Sequence, residues 1–143
     1  MVNAAATPPL TLSAEDFDAV FPFHLSFGPD WRLIHIGPSL RRICPAVCEG
    51  ALFPEVFVPS RPDAAFDHET LRTSRKTLYF IREQATRLVL RGQMLELAPG
   101  GPIVFIGSPW LVDPSAITHV GLSFDDFAIH DPAVDLLHVL QAQ

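Results

Sequence analysis

What is scarce in these 143 residues narrows their use before any motif is considered. Basic residues are few: 10 Lys and Arg stand against 16 Asp and Glu, a formal net charge of −6. A chain of that sign has no electrostatic footprint for nucleic acid and is repelled by an anionic membrane surface, so neither is an expected partner. Long apolar runs are missing as well. Ile103-Val104-Phe105-Ile106 is typical of what is present, a short run bounded by Gly or Pro, whereas a membrane helix needs about 20 apolar residues. The opening segment has no basic start followed by an apolar stretch, so 1–12 reads as a flexible leader and not a signal peptide, and a cytoplasmic location is expected. Cysteine is limited to Cys44 and Cys48. Their spacing of four suits facing positions on a helix better than the two-residue spacer of a redox motif, and both are expected to be small core residues without a disulfide.

Catalytic and cofactor signatures are equally thin. The six histidines, at 24, 35, 68, 119, 130 and 138, form no His-Glu-x-x-His arrangement and no Cys/His cluster with zinc spacing, so neither haem nor structural zinc, nor any other cofactor, is expected. His24 and His35 can face each other across a hairpin, but their apolar neighbours favour a structural pair over a ligand pair. No serine sits in a Gly-x-Ser-x-Gly elbow, and no Gly-x-Gly-x-x-Gly or Walker loop is present. Asp125, Asp126, Asp131 and Asp135 could hold a divalent cation, yet Phe124, Phe127 and Ile129 interleave them as in an ordinary half-buried segment. His130-Asp131 is half of an acid–base dyad on paper; adjacent residues point apart in an extended chain, and Asp131 before Pro132 is better placed to cap a helix. Nothing here makes an enzyme.

What is there is a one-domain composition, 48% hydrophobic and 18% charged, cut into short elements by 14 prolines. Ser13 reads as an N-cap ahead of Glu15 and Asp16, with Phe17, Val20 and Phe21 on one face of a short helix that ends before Pro22. Phe23, Leu25 and Phe27 alternate with His24 and Ser26, Gly28-Pro29-Asp30 turns the chain, and 31–36 alternates again, so a hairpin is expected. Ser39 caps a brief helix stopped by Pro45. The segment 46–75, with Pro54, Pro59 and Pro62, reads as loop plus two short helices, the second near 67–73. Three strands follow at 77–82, 87–97 and 103–107, the last two joined by the turn Ala98-Pro99-Gly100-Gly101-Pro102, whose adjacent glycines can take positive φ. The sum is an α+β domain over 13–131 with five mainly antiparallel strands, two before and three after a helical middle that covers one face, the order of a PAS-like fold. From Pro132 to the end, Ala133, Leu136, Leu137 and Leu140 mark a helix just starting, the plausible beginning of a coiled coil. Gly92 inside the strongest strand marks either a bulge or a close approach by another backbone, ligand or partner. Trp110 at a strand end either seals the core edge or anchors an interface.

Several blocks, in order, resemble one known pattern: Phe21-Pro22-Phe23-His24, Gly37-Pro38-Ser39-Leu40, Ser60-Arg61-Pro62, Leu90-Arg91-Gly92-Gln93-Met94, Gly107-Ser108-Pro109-Trp110, and 121–127 running into Ile129-His130-Asp131-Pro132. Together they resemble the haem-NO-binding-associated domain and span roughly 21–141. The resemblance implies a PAS-like domain that sits between a haem sensor and the catalytic part of soluble guanylate cyclases, or leads bacterial histidine kinases and cyclic-dinucleotide enzymes. It implies a non-catalytic role: dimerisation, and relay of a nitric-oxide or oxygen signal from a haem-containing sensor to a C-terminal output domain, a kinase or a nucleotide cyclase. Met1 at the start points to an N-terminal module of the bacterial kind. A PAS-type pocket that senses a small molecule directly is the alternative. The expected homodimer contact is the helix bearing Phe17, Val20 and Phe21, or the outgoing helix with Leu136, Leu137 and Leu140. The expected sensor contact is the strand edge near Gly92 together with Ser108-Pro109-Trp110.

Overall fold

In a computed structural model that describes residues 8, 10–111 and 118–142, six strands form one antiparallel sheet in the order β2-β1-β6-β5-β4-β3. These are β1 (Leu25–Phe27), β2 (Leu33–Ile36), β3 (Phe57–Arg61), β4 (Tyr79–Glu83), β5 (Val89–Glu96) and β6 (Ile103–Pro109). Helix α1 (Ala14–Val20) precedes them, α2 (Pro38–Ile43), α3 (Phe53–Val56) and α4 (His68–Thr73) lie between β2 and β4, and α5 (Ala133–Gln141) leaves the domain. The α+β, PAS-like architecture is as the sequence predicts; the strand count is six, not five. The extra strand is β3, which pairs with β4 from Phe57↔Glu83 to Arg61↔Phe80. Pro59 argues against a strand in the sequence, but at the edge of a sheet only one side of the backbone needs donors, and proline is tolerated there.

One face of the sheet is the core. Leu25 and Phe27 of β1, Tyr79 and Ile81 of β4, Leu90 and Met94 of β5, and Ile103 and Phe105 of β6 pack on Leu40 and Ile43 of α2, Phe53 and Val56 of α3, Leu71 of α4 and Leu137 of α5. At its centre Phe53 stacks on Phe27 with ring centroids 4.4 Å apart and also touches the rings of Phe57 and Phe66. Cys44 is buried in this core beside Thr86, and burial pushes its thiol up to about 12, against the opposing hydrogen bond from Thr86. Cys48, by contrast, is exposed, so only one of the two cysteines is the core residue that spacing suggested.

Local chemistry fixes the joints. The Ser13 side chain accepts from the Asp16 N–H and starts α1 as expected. The Glu83 carboxylate closes the tight β4–β5 turn by accepting from the N–H groups of Ala85 and Thr86 and the Thr86 hydroxyl, at 2.9, 2.8 and 2.6 Å. In the β5–β6 turn only Gly100 takes the left-handed conformation, at φ +74°.

Candidate functional site

The blocks that carry the family resemblance, scattered through the sequence, meet in space. The Pro22 carbonyl accepts from the first free amides of α2, Ser39 and Leu40, and Gly37 lies so close that a Cβ there would stand 2.3 Å from that carbonyl oxygen. On the next side of α2, the Ser39 hydroxyl donates to the Asp126 carbonyl and Arg42 forms an ion pair with the Asp126 carboxylate at 2.5 Å. Asp126 also accepts from the Ser123 N–H, closing the short 3-10 turn Phe124–Asp126 as a capping box. The four aspartates named in the sequence therefore do not gather as cation ligands: Asp126 is paired with arginine, and Asp131 is employed elsewhere.

Asp131 is the joint between the sheet and the outgoing helix. One carboxylate oxygen accepts from the Ala133 N–H at 2.9 Å and starts α5; the other accepts from the Ser108 hydroxyl of β6 at 2.5 Å. The expected capping role is thus seen, and no dyad forms with His130, whose ring is exposed and sits edge-on to Phe21 at 6.3 Å.

Beside this joint, on the face of the sheet away from the main core, runs an open groove of about 560 Å³. Val20, Phe21 and Pro22 form one wall, the 130–132 segment another, and β5 and β6 the floor. Gly92 and Gly107 pair directly across β5 and β6 on the pleat that faces the core, beside Tyr79 and Phe105, while the neighbouring Arg91, Gln93, Ile106 and Ser108 line the groove. A Cβ on Gly92 would meet the Ile106 carbonyl oxygen at 2.2 Å. The register is unbroken there, so Gly92 marks no bulge; the backbone that comes close is the domain's own. Gly92 is also not at a strand edge, because β5 lies between β4 and β6.

Trp110 lies outside the core and is 43% exposed. It packs edge-on against Phe80, with the Arg91 guanidinium over its ring and that of Arg61 over Phe80. A smaller recess of about 220 Å³ connects Trp110 and Arg91 with Asp131 and Leu136. Of the two expected dimer helices, α1 uses Phe17 within the domain, against the His24 ring at 4.6 Å, and leaves Val20 partly exposed. In α5, Leu137 is buried in the core at 1% exposure and is closed to any second copy. The outward apolar positions are Leu136 and Val139, because the first turns of α5 lean on the core through Ala133, Val134 and Leu137. The side chain of Leu140 lies outside the described residues.

The histidine pair is richer than the sequence suggests. His24 and His35 stack with ring centroids 5.0 Å apart, and Asp18 of α1 reaches both, at 3.8 Å from His24 Nε2 and 3.0 Å from His35 Nε2. Burial, the largest influence, lowers the His24 pKa, and His35 acts in the same direction, against the Phe21 carbonyl and Asp18. Spacing alone missed this group because Asp18 arrives from a separate helix; the ligand atoms of the three residues lie within 4.8 Å of one another. Among the described residues no helix is long and apolar enough to cross a membrane.

The family described as "Heme NO binding associated" matches residues 10–87 and 81–143. Guanylate cyclase soluble subunit alpha-2 of Rattus norvegicus is 29% identical over 140 residues, covering 91% of this chain and 19% of that protein. Guanylate cyclase soluble subunit alpha-1 of Bos taurus is 25% identical, covering 90% and 20%, and soluble guanylate cyclase gcy-35 of Caenorhabditis elegans is 21% identical, covering 92% and 21%. The chain therefore spans about a fifth of the length of the curated relatives it matches. With the family match running across all the strands and helices described above, the chain belongs to the haem-NO-binding-associated family.

Proposed function

We propose that this domain is a non-catalytic regulatory module that receives the state of a haem-containing nitric-oxide or oxygen sensor and passes it, as a dimer, through α5 to an output domain. The observation that carries the reading is the Asp131 joint: a single carboxylate holds the start of α5 and a strand that floors an open groove. A partner seated in that groove touches the end of α1, β5–β6 and the 130–132 segment at once. It changes α5 only if it binds two arrangements of the joint with different free energy, since a partner that binds both equally shifts nothing. The floor of two paired strands and the separate wall at 130–132 are suited to that: one part fixes the partner and the other can respond.

The groove volume alone would also suit a small ligand. It lies open along the outer face, however, while the space between sheet and helices is filled by Phe27, Phe53, Phe57 and Phe105, each fully buried. A protein surface is the better occupant. Trp110 and Arg91 beside the groove supply the aromatic and guanidinium groups that dominate protein contacts, and Leu136 and Val139 of α5 supply an apolar stripe for a second copy.

The test is titration of the cognate haem sensor, with and without nitric oxide, against the domain extended by its native downstream segment. Binding that differs between the two gas states is expected, with Trp110→Ala costing at least about 2 kcal/mol. Absence of association in either state would overturn the relay; unchanged affinity in the folded Trp110 variant would remove only this part of the surface.

A further inference from the structure

We infer that Asp18, His24 and His35 form a binding site for a divalent transition-metal ion of the zinc type, bridging α1 to the first hairpin. Their ligand atoms all lie within 4.8 Å of one another, although the residues come from α1, the entry to β1, and β2. His24 is prepared for the role. Its Nδ1 lies 2.7 Å from the Phe21 carbonyl oxygen and must donate to it, which leaves the lone pair on Nε2, the atom facing Asp18. Metal-binding histidines are commonly held in this way, by a backbone carbonyl on the other ring nitrogen. His35 meets Asp18 through Nε2 at 3.0 Å. An arriving ion replaces that shared proton: the imidazole takes its other tautomer or releases the proton to solvent, and Nε2 becomes a ligand.

Two imidazoles and one carboxylate select for borderline ions such as Zn²⁺ over Mg²⁺ or Ca²⁺, which prefer all-oxygen sets. Access is open, because the side chains of His35 and Asp18 are 40% and 31% exposed while His24 is 2% exposed. A cavity of about 510 Å³ lined by His24, His35, Ser26 and Phe17 leaves room for water at the remaining coordination position. Bound metal would pin α1 to β1 and β2 and so fix Val20 and Phe21, one wall of the groove described above.

The experiment uses the full chain, stripped of metal by chelation and free of any affinity tag. Titration calorimetry with Zn²⁺ is expected to give one equivalent bound, with no binding of Mg²⁺. Asp18→Asn and His35→Ala are each expected to weaken Zn²⁺ at least about tenfold. Both positions are partly exposed, so these variants keep the core intact, which circular dichroism checks. Independently of any variant, the imidazole proton resonances of His24 and His35 in the wild type are expected to move on adding Zn²⁺. Absence of Zn²⁺ binding, or binding that leaves those two histidines unmoved and is equally tight in both variants, would overturn the site.

Discussion

The two faces of the sheet are built from the same strands and do opposite things. On the core face, alternate residues of β1, β4, β5 and β6 are apolar and sealed against four helices, with Phe53 at the centre of an aromatic stack. On the outer face the same strands carry Ser26, Arg91, Gln93 and Ser108, open grooves, and histidines meeting a carboxylate from α1. The core face holds the fold; the outer face leaves polar groups and cavities available to something else. The lesson is that function in this domain is to be sought where the sheet is incompletely covered, and substitutions should separate accordingly.

The largest effect on stability is expected from Phe53→Ala. It removes a fully buried ring from the core stack and should lower the unfolding free energy by about 3–5 kcal/mol, read by denaturant titration. If it cost under about 1 kcal/mol, the division between the faces would fail at its strongest point. Gly92→Ala comes next, at about 3 kcal/mol, because its Cβ has only the backbone of β6 to push against and backbone cannot rotate away as a side chain can. It sharpens the comparison, because Gly92 belongs to the core-facing pleat although its backbone also borders the outer groove.

Glu83→Gln is expected to cost about 1–2 kcal/mol at neutral pH by weakening the charge-assisted bonds across the β4–β5 turn. Burial alone would raise the Glu83 carboxyl, but the hydrogen bonds from Thr86 and Ala85 outweigh it and leave the pKa below the ordinary value. A depressed carboxyl contributes stability that is complete above the unfolded-state value, about 4.3, and is lost as pH falls through the lower folded value. The wild type should therefore lose stability below about pH 4 more steeply than Glu83→Gln, and parallel acid profiles would contradict the assignment. The smallest effect on stability, about 1 kcal/mol or less, is expected for Trp110→Ala, since the ring is 43% exposed and leans mainly on Phe80.

Most of the fold was legible because its local patterns are strong. The Ser13 cap, the Gly100 turn and the Asp131 cap each involve residues close in sequence, and each is found in place, whereas the alternation in 23–27 yields a strand only over Leu25–Phe27, buried on both faces. What was hidden depends on tertiary position. β3 looks interrupted by Pro59 until it is seen to be an edge strand. Leu136 and Leu137 share one apolar run, and only the packing of α5 decides that Leu137 turns inward and Leu136 outward. The family blocks announced themselves in order along the chain, but that the stretches at 21–23, 91–93, 107–108 and 130–132 border one groove required the sheet order. The Asp18, His24 and His35 group was half visible: the hairpin brought two histidines together on paper, and the third member lies on a helix that no short-range spacing could dock.

In the proposed relay the outer groove and α5 are coupled through Asp131. The most direct measurement is amide hydrogen exchange across Ala133–Gln141, in the domain extended by its native downstream segment, with the cognate haem sensor bound in its nitric-oxide-loaded and unloaded states. Protection of α5 is expected to differ between those states by at least about fivefold, the lower end of typical coupling between sites, and Ser108→Ala is expected to reduce the difference. Identical exchange of α5 in both states, with sensor binding verified in each, would contradict it.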